Sequence, residues 1–326
     1  MTTDQDWERK IGRRLRLRDL HVVFVVAESG SMAKAAEVLR VTQSAVSQMI
    51  ADVEQELGVR LFDRSRRGVE VTIYGQALIR RGKAAFDELR LGIQEIDYLK
   101  SEGAGEIRIG CPETLAASVL PTAIDIFSSR WPDAVLEVET FAGEAAAAKL
   151  RDRSIDLVLA RDGPGLKSFA NSDDFTVTTL FEDTLSVVVG ASSRWARLRQ
   201  ITLADLKEAP WIVLPYGWGE DVLPMAFAAH GLPLPRIALK TSSIHLRLHL
   251  LATGRFVSAL PASVLRLHEK RFNLKALRIA LPKTPYSVAI VTLRNRTLGP
   301  VVNHFIASTA AQFEKRSRRG AALQAP

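Results

Sequence analysis

The apolar positions between residues 31 and 57 form two short helical stripes. The first stripe comprises Ala35, Ala36 and Leu39. The second comprises Val46, Met49, Ile50, Val53 and Leu57. Both follow the three- and four-residue spacing of an amphipathic helix, and residues 40–42 between them leave room only for a tight turn. Small alanines allow two helices to cross closely. The pattern predicts a helix-turn-helix over residues 32–51.

The opposite face of the second predicted helix is polar and uncharged, with Gln43, Ser44, Ser47 and Gln48. Short amides and hydroxyls can enter the DNA major groove, where glutamine can pair with N6 and N7 of adenine. Thr42 is a good N-cap and leaves the next free amides pointed at a phosphate. A merely solvated helix face usually carries Glu and Lys, so we interpret this face as DNA-reading. Lys34 of the first helix is included among the predicted DNA contacts.

Residues 58–72 predict a β-ribbon beside the second helix. Glycine permits the turns of such a ribbon, and arginines outweigh the acidic residues of the segment. Its basic residues are Arg60, Arg64, Arg66 and Arg67. A ribbon in this place would lie along the phosphate backbone, where it adds affinity more than sequence information. We therefore predict DNA contacts from Arg64, Arg66 and Arg67, with a general role in solubility as the alternative.

Residues 17–75 resemble the winged helix-turn-helix of LysR-type transcriptional regulators. The matching positions, in the order and spacing of that family, include Leu20, Phe24, Ser31, Ala35, Ala36, Leu39, Val41, Gln43, Val46, Ser47, Ile50, Glu54, Leu57, Gly58, Leu61, Phe62, Arg64, Thr72 and Gly75. The family usually has proline where Ser44 stands and a basic residue near Gln48. Because both positions lie on the predicted DNA face, the base preference of relatives does not transfer to this chain.

A long helix is predicted over residues 73–100, preceded by Thr72 as its cap. Its apolar positions recur at heptad spacing: Ile79, Phe86 and Ile93, with Leu89 and Ile96 in the alternate slots. Gly82 occupies one further position of this seam and allows close approach. Such a seam favours pairing of two chains, in agreement with the resemblance, while packing against its own domain is the alternative.

Beyond a glycine-rich hinge at residues 101–105, strands and helices alternate. This order predicts βαβ units on parallel sheets, and hence an α/β fold. The region resembles the two-lobed, periplasmic-binding-protein-like effector domain of the same family. The predicted domains are 15–75 for DNA binding, 73–100 as linker and dimerisation helix, 105–316 for effector binding, and 317–326 as a disordered tail. Lobe I is predicted at 105–175 and 265–316, and lobe II at 176–264.

An effector site is predicted at the carboxyl ends of the strands, where ligands bind in such sheets. By position, the resemblance implies effector contacts from Thr114, Arg161, Pro215, Tyr216 and Ser242. A guanidinium after the third strand could clamp a carboxylate, so we expect a small organic acid. Taken singly, each of these residues has ordinary capping or turn chemistry as its alternative.

The formal net charge of +8 is not concentrated in the DNA-binding region. Residues 1–100 are almost balanced, so the DNA-binding charge is local, at residues 9–18 and in the ribbon. The basic region from residue 266 onward is interpreted as solvated surface. The single cysteine, Cys111, excludes an internal disulfide and is interpreted as a packing residue rather than a sensor. His245 and His249 have the spacing of a metal pair but lack a third ligand nearby.

The sequence lacks the motifs that mark several other classes of protein. The chain has no P-loop, no dinucleotide-binding or nucleophile-elbow glycine motif, and no zinc-protease motif. It has no signal-peptide core and no apolar run long enough for a membrane helix. We therefore expect a cytoplasmic, sequence-specific transcriptional regulator, controlled by a small-molecule effector, with no catalytic residues, cofactor or metal. The alternatives are an enzyme or solute-binding protein with an appended DNA-binding domain, and a nucleoid protein.

The partners expected from the sequence are double-stranded DNA, a small-molecule effector and further copies of the chain. The resemblance implies a homodimer or homotetramer. RNA polymerase is kept as a further candidate partner, and no membrane partner is expected.

Overall fold

The computed structural model describes residues 15–65, 68–101, 103–141, 143–161, 169–215, 218–282 and 286–322. The chain divides into two compact units, residues 1–90 and 91–326. Within those ranges, the first holds three helices, a hairpin and the greater part of a fourth, long helix, and the second holds two five-stranded sheets. No helix in the described ranges is long and apolar enough to cross a membrane.

The first unit is built from a helix-turn-helix and a β-hairpin. Its elements are α1 Leu17–Ser29, α2 Met32–Leu39, α3 Gln43–Leu57, β1 Phe62–Ser65, β2 Gly68–Val71 and the start of α4 Ile73–Lys100. Helix α1 ends at Gly30, whose φ of 61° is left-handed. Helix α3 begins at Thr42, whose Oγ1 accepts a hydrogen bond from Ala45 N at 3.2 Å. The helices and cap predicted from the sequence are thus present.

The core of this unit explains the alanines of α2. Ala35 and Ala36 are buried against the apolar faces of α1 and α3, which contribute Val23, Val26, Val46 and Ile50 among others. The Glu54 carboxylate accepts hydrogen bonds from the amides of Leu61 and Phe62, at 2.7 and 3.1 Å. Since Glu54 lies on α3, these bonds fix the start of the hairpin to that helix.

Helix α4 has two different halves. In the first half, the Phe86 ring lies edge-on to Phe24 of α1, with centroids 5.5 Å apart. A Cβ on Gly82 would come within 2.7 Å of the Phe24 ring, and Ile79 packs against the same core. The interpretation of Ile79, Gly82 and Phe86 as a seam for a second chain is therefore wrong, because α1 of the same chain covers them.

In the second half of α4, four apolar side chains are exposed. They are Leu89, Ile93, Ile96 and Leu99, called here the outer stripe. They recur every three to four residues, so they share one face of the helix. The heptad pattern correctly indicated an apolar face here, but only this half of it is uncovered.

The second unit contains two sheets with helices on their faces. Its strands are β3 Gly105–Cys111, β4 Ala134–Thr140, β5 Leu157–Arg161, β6 Phe175–Asp183, β7 Leu185–Gly190, β8 Trp211–Val213, β9 Ile237–Lys240, β10 Val257–Pro261, β11 Leu274–Ala276 and β12 Tyr286–Leu293. Its helices after α4 are α5 Glu113–Ala116, α6 Leu120–Arg130, α7 Glu144–Arg151, α8 Trp218–Ala229, α9 Ile244–Ala252, α10 Ala262–Phe272 and α11 Pro300–Ala322.

The sheets are mixed, whereas the alternation of strands and helices predicts parallel ones. The first has the order β4-β3-β5-β12-β6 and the second β11-β7-β10-β8-β9. Strand β3 is parallel to β4 and β5, but β12 runs antiparallel to both β5 and β6. In the second sheet, β7 runs antiparallel to β10 and β11. Strands from distant parts of the chain can pair antiparallel without the crossover that a parallel pair requires.

Pairing of β6 with β12 also corrects the lobe boundaries. Lobe I contains residues 105–183 and 286–322, while lobe II runs from β7 to β11, residues 185–276. The predicted boundary at 175/176 cuts through β6, and the predicted return at 265 cuts through α10. Neither β6 nor β11 is predicted from the sequence. Helix α11 continues through residues 317–322, part of the predicted disordered tail.

Candidate functional site

The polar face of α3 is presented to solvent. Gln43, Ser44 and Gln48 are exposed and Ser47 is half-buried. These four residues are called the reading face. Thr42 Oγ1 and Ser44 Oγ are 3.0 Å apart, so the cap and the first serine share a hydrogen bond. Lys34 is exposed on α2.

Gln48 differs from Gln43 in having a partner within its own helix. Its Nε2 donates a hydrogen bond to Oδ1 of Asp52 at 2.7 Å, one turn further along. This bond occupies one of the two amide N–H donors of Gln48 and holds its side chain towards Asp52. Asp52 lies just beyond the four residues named in the predicted DNA-reading face.

The hairpin that follows α3 is the predicted ribbon. Strands β1 and β2 pair antiparallel, with Arg64 opposite Val69 and Ser65 opposite Gly68. Val69 N donates to Gly30 O at 3.0 Å, which anchors the hairpin to the end of α1. Arg64 thus lies on β1, near the tip of the hairpin, while the predicted contacts Arg66 and Arg67 lie outside the described residues.

In the second unit, a cleft lies where the two lobes meet. Its cavity volume is about 30 Å³. Among the described residues, the polar ones that line it are Thr114, Arg161 and Arg247. The remaining lining is apolar and consists of Leu185, Trp211, Ile212, Val213, Leu214, Val222, Leu223, Ala259, Pro261 and Leu281. A narrow apolar cleft with a few convergent polar groups is the usual form of a small-molecule site.

Arg161, predicted from the sequence, ends β5 and lines this cleft. Its Nε and Nη2 are buried and have no hydrogen-bond partner among the described residues. Its guanidinium lies over the Tyr286 ring, 5.5 Å from the centroid. Burial raises the pKa of the Tyr286 phenol well above its ordinary value, so this ring is neutral and its face attracts the cation.

Arg247 is a second buried guanidinium in the cleft, and sequence reasoning missed it. It lies on α9 and is only 2 % exposed. Its Nη2 donates to Ser258 Oγ at 2.8 Å and to the Ala259 carbonyl, while its Nε has no partner in the described part of the chain. Burial, and then the charge of Arg161, lower its pKa to about 10, against an opposing effect of Glu113. One signal was available, since Arg247 interrupts the buried stripe of Ile244, Leu248 and Leu251.

The other predicted effector contacts differ in whether they line the cleft. Thr114 is buried and lines the cleft. Pro215 is half-buried and Ser242 exposed, and neither lines the cleft. Tyr216 lies outside the described residues.

The cap of α9 is Ser243 rather than Ser242. Ser243 Oγ accepts a hydrogen bond from Leu246 N at 3.3 Å. It also lies 3.5 Å from Glu113 Oε1, to which its hydroxyl donates across the two lobes. Ser243 therefore links the start of α9 to α5.

Cys111 and the two histidines lie in different surroundings, one buried and the others exposed. Cys111 is buried, and this burial raises the pKa of its thiol to about 12. His245 and His249 lie on one exposed face of α9 with their Nε2 atoms 3.1 Å apart. No group of three or more His, Cys, Asp or Glu side chains in the described ranges is placed to hold a metal ion.

The two units together define a DNA-binding regulator with a ligand-binding domain. The first carries a helix-turn-helix with an exposed polar face and a hairpin, and the second carries an apolar cleft with two buried cations. Comparison with known families agrees. Residues 17–76 match the model of the bacterial regulatory helix-turn-helix protein, lysR family, and residues 100–314 match the LysR substrate binding domain. The chain therefore belongs to the LysR family of transcriptional regulators, which are not enzymes.

Similar proteins span almost the whole chain. The transcriptional dual regulator GltC of Bacillus subtilis is 28 % identical over 301 residues, covering 92 % of this chain and 98 % of its own. A probable nitrogen assimilation transcriptional activator of Synechococcus elongatus is 27 % identical, covering 89 % and 93 %. Among solved structures, the LysR family regulator CbnR has a TM-score of 0.60 at 21 % identity, covering 91 % of this chain and 98 % of its own. A full-length OxyR variant from Pseudomonas aeruginosa likewise has a TM-score of 0.60 at 21 % identity, with 91 % and 94 % covered.

Proposed function

We propose that this regulator reads a specific DNA sequence with α3 and that a small organic acid in the cleft controls its binding. One observation carries the second half of this proposal. Arg161 presents a buried guanidinium edge, Nε and Nη2, with no partner in the described residues. A buried donor without a partner is costly, and a carboxylate is the group that best matches this edge.

On the DNA side, the reading face and its neighbours are the proposed contacts. Gln43, Ser44, Ser47 and Gln48 would reach base edges in the major groove, flanked by Thr42 and Lys34. Arg64, Arg66 and Arg67 of the hairpin would contact the phosphate backbone, and so supply affinity without sequence preference.

The outer stripe of α4 supports a dimer. Leu89, Ile93, Ile96 and Leu99 are exposed on one face of a long helix, and a second copy of that helix would cover them. Two copies would present two reading faces to the half-sites of a pseudo-palindrome. One of the similar solved structures is full-length CbnR complexed with its target DNA, with a TM-score of 0.52. We extend the proposal to a tetramer made of two such dimers.

A regulator of this kind would act in the cytoplasm, where bacterial DNA is found. Bound beside a promoter, it would lie within reach of RNA polymerase, which we propose as a further partner.

The effector proposal is tested with Arg161→Ala in the full-length protein. Isothermal titration calorimetry with short carboxylic acids should show binding to the unchanged protein and its loss in the variant. Arg151→Ala is the matched control, because Arg151 lies in the same lobe but is half-exposed and paired with Asp174. Equal affinity of Arg161→Ala and the unchanged protein would refute a role for Arg161 in effector binding.

The DNA proposal is tested by selection from a random double-stranded DNA library. A sequence-specific regulator enriches one motif, and it binds that motif roughly 10³-fold or more tighter than random DNA at physiological salt. Enrichment of no motif would instead indicate a nucleoid-type protein.

A further inference from the structure

The cleft holds two buried cations from opposite lobes and an otherwise apolar wall. We infer that its ligand is an acid with a single carboxylate and a small apolar body, bound by Arg161 of lobe I and Arg247 of lobe II together. This inference rests on the proposed function, because it names the chemical class of the effector and adds a second binding residue.

The first step is the geometry of Arg161. The two nitrogens without a partner in the described residues, Nε and Nη2, are neighbours on one edge of the guanidinium. This edge donates two parallel hydrogen bonds to the two oxygens of one carboxylate. Among the described residues, Arg161 is contacted by the Tyr286 ring and forms no ion pair with an acid, so we take its charge to be available to a ligand.

The second step is the position of Arg247. Ser258 Oγ and the Ala259 carbonyl both accept from Nη2, and Ser258 Oγ itself donates to the Ile212 carbonyl at 2.6 Å. These neutral partners fix the side chain on β10 without neutralising its charge. Its buried Nε has no partner in the ranges described and belongs to a residue of the cleft wall. A carboxylate bound to Arg161 would accept a hydrogen bond from this unpaired Nε. It would also reduce the repulsion between the two cations.

The third step is the number of charges that the cleft can accept. Two guanidinium groups line it, and Glu113 acts on Arg247 with the opposite sign. One further negative charge therefore balances the site. A second carboxylate would instead lie against Trp211, Val222 and Leu223, which offer no side-chain charge. Burying an unpaired charge there is unfavourable, so a dicarboxylate fits poorly.

The fourth step is size. A cavity of about 30 Å³ is small, so the apolar body beside the carboxylate is expected to be small as well. Its apolar walls come from lobe II, through Leu185 and Trp211 among others, and from Leu281 in the segment that returns to lobe I. A ligand held by one guanidinium from each lobe would hold the lobes together, and this would give the acid its effect on the rest of the molecule.

The inference is tested with four probes on the full-length protein. Isovalerate and benzoate carry one carboxylate on an apolar body, succinate carries two carboxylates, and isovaleramide replaces the carboxylate of isovalerate with a neutral amide. Calorimetry should show isovalerate or benzoate binding roughly tenfold or more tighter than succinate, and no binding of isovaleramide. Tighter binding of succinate than of both monocarboxylates would overturn the inference.

Variants of Arg247 test its part in binding. Arg247→Met should weaken binding of the monocarboxylate roughly tenfold or more, while Arg255→Met, an exposed change in the same lobe, should leave it unchanged. Circular dichroism checks folding, and Arg247→Lys, which keeps the charge but loses the guanidinium edge, replaces Arg247→Met if that variant unfolds. Affinity equal to the unchanged protein in the folded variant would refute the role of Arg247.

The DNA selection separates the two proposals. If a DNA motif is enriched but no monocarboxylate binds, this inference fails while the DNA-reading half of the proposed function stands. If monocarboxylates bind through both arginines but no motif is enriched, the ligand class stands and sequence-specific regulation fails.

Discussion

Among single residues, the two glutamines of the reading face differ in the hydrogen bonds of their side chains. Gln43 lies in the first turn of α3 and is exposed. Gln48 is bonded to Asp52 at 2.7 Å, so one of its two amide N–H donors and the orientation of its side chain are already engaged. Gln43 is therefore the residue on which we expect base preference to depend most.

Substitution of Gln43 by alanine should relax preference at one base pair. The loss is about 1–3 kcal/mol of binding free energy if the contact is bidentate. Gel-shift titration on the selected motif and on its single-base variants measures it. Gln55→Ala is the control, because Gln55 is exposed near the other end of the same helix. Unchanged discrimination by Gln43→Ala at every position would show that Gln43 does not read a base.

The buried thiol of Cys111 should be unreactive in the folded protein. A pKa of about 12 leaves about 10⁻⁴ of the thiol ionised at pH 8, and only the thiolate reacts. Ellman's reagent should therefore modify Cys111 only after unfolding in guanidinium. Because the folded pKa lies above the unfolded value, the contribution of this thiol to stability falls as the pH rises from about 9 to 12. Rapid modification at pH 8 without denaturant would contradict the burial.

At the scale of elements, α4 shows why one apolar pattern can serve two purposes. Its first half packs on α1 through Gly82 and Phe86, and its second half leaves the outer stripe exposed. Spacing alone cannot separate these, since a heptad seam and an intramolecular helix contact use the same positions.

Position 75, in the first turn of α4, requires glycine because the backbone of Leu61 approaches it closely. A Cβ there would lie 2.3 Å from the Leu61 carbonyl oxygen, which already accepts hydrogen bonds from the amide and the hydroxyl of Thr72. Gly75→Ala should therefore lower the free energy of unfolding by about 1–3 kcal/mol. Gly92→Ala on the same helix meets nothing within 4 Å and should raise it by about 1 kcal/mol. Urea unfolding followed by circular dichroism compares them, and equal effects would contradict the steric argument.

Charge on the outer stripe should disrupt pairing of chains. Ile93 is 61 % exposed in the single chain, so Ile93→Glu should leave the fold intact while burying a charge in any interface formed there. Sedimentation velocity should show a smaller species than for the unchanged protein. Arg80→Glu, an exposed change of charge in the first half of the same helix and away from the outer stripe, should keep the original size. An unchanged sedimentation coefficient for Ile93→Glu would place the oligomer contact elsewhere.

Local signals in the sequence predicted the helix-turn-helix, the cap at Thr42 and Arg161 in the cleft. They could not predict β6 or β11, because the pairing of these strands depends on partners more than fifty residues away in the chain. The role of Arg247 could not be predicted for a similar reason. Its helix alone shows a charged residue in an apolar stripe, and only the packing of α9 on β10 shows that this charge is buried beside Arg161.

For the whole molecule, control by a ligand requires that the cleft and the DNA face influence one another. If a bound monocarboxylate changes the affinity for the selected DNA by some factor, the DNA must change the affinity for the acid by the same factor. A factor of roughly 5–150 is typical of such coupling. Titrations of each ligand at saturating concentrations of the other measure both factors. If both affinities change by a factor close to one, the acid binds without regulating the binding of DNA.

The register of two strands in lobe I makes lobe II an insertion into a hairpin. Strands β6 and β12 are antiparallel neighbours, and their paired residues Asp183 and Tyr286 are where the chain leaves lobe I and returns to it. A two-residue Asn-Gly turn in place of residues 184–285 would join these strands as an ordinary β-hairpin and leave the strand order of lobe I unbroken. The obstacle to such a miniaturised domain is the apolar surface shared with lobe II, which Leu185, Val187 and Trp211 now cover. Redesigning that surface with polar residues would turn half of a sensor into a free-standing scaffold.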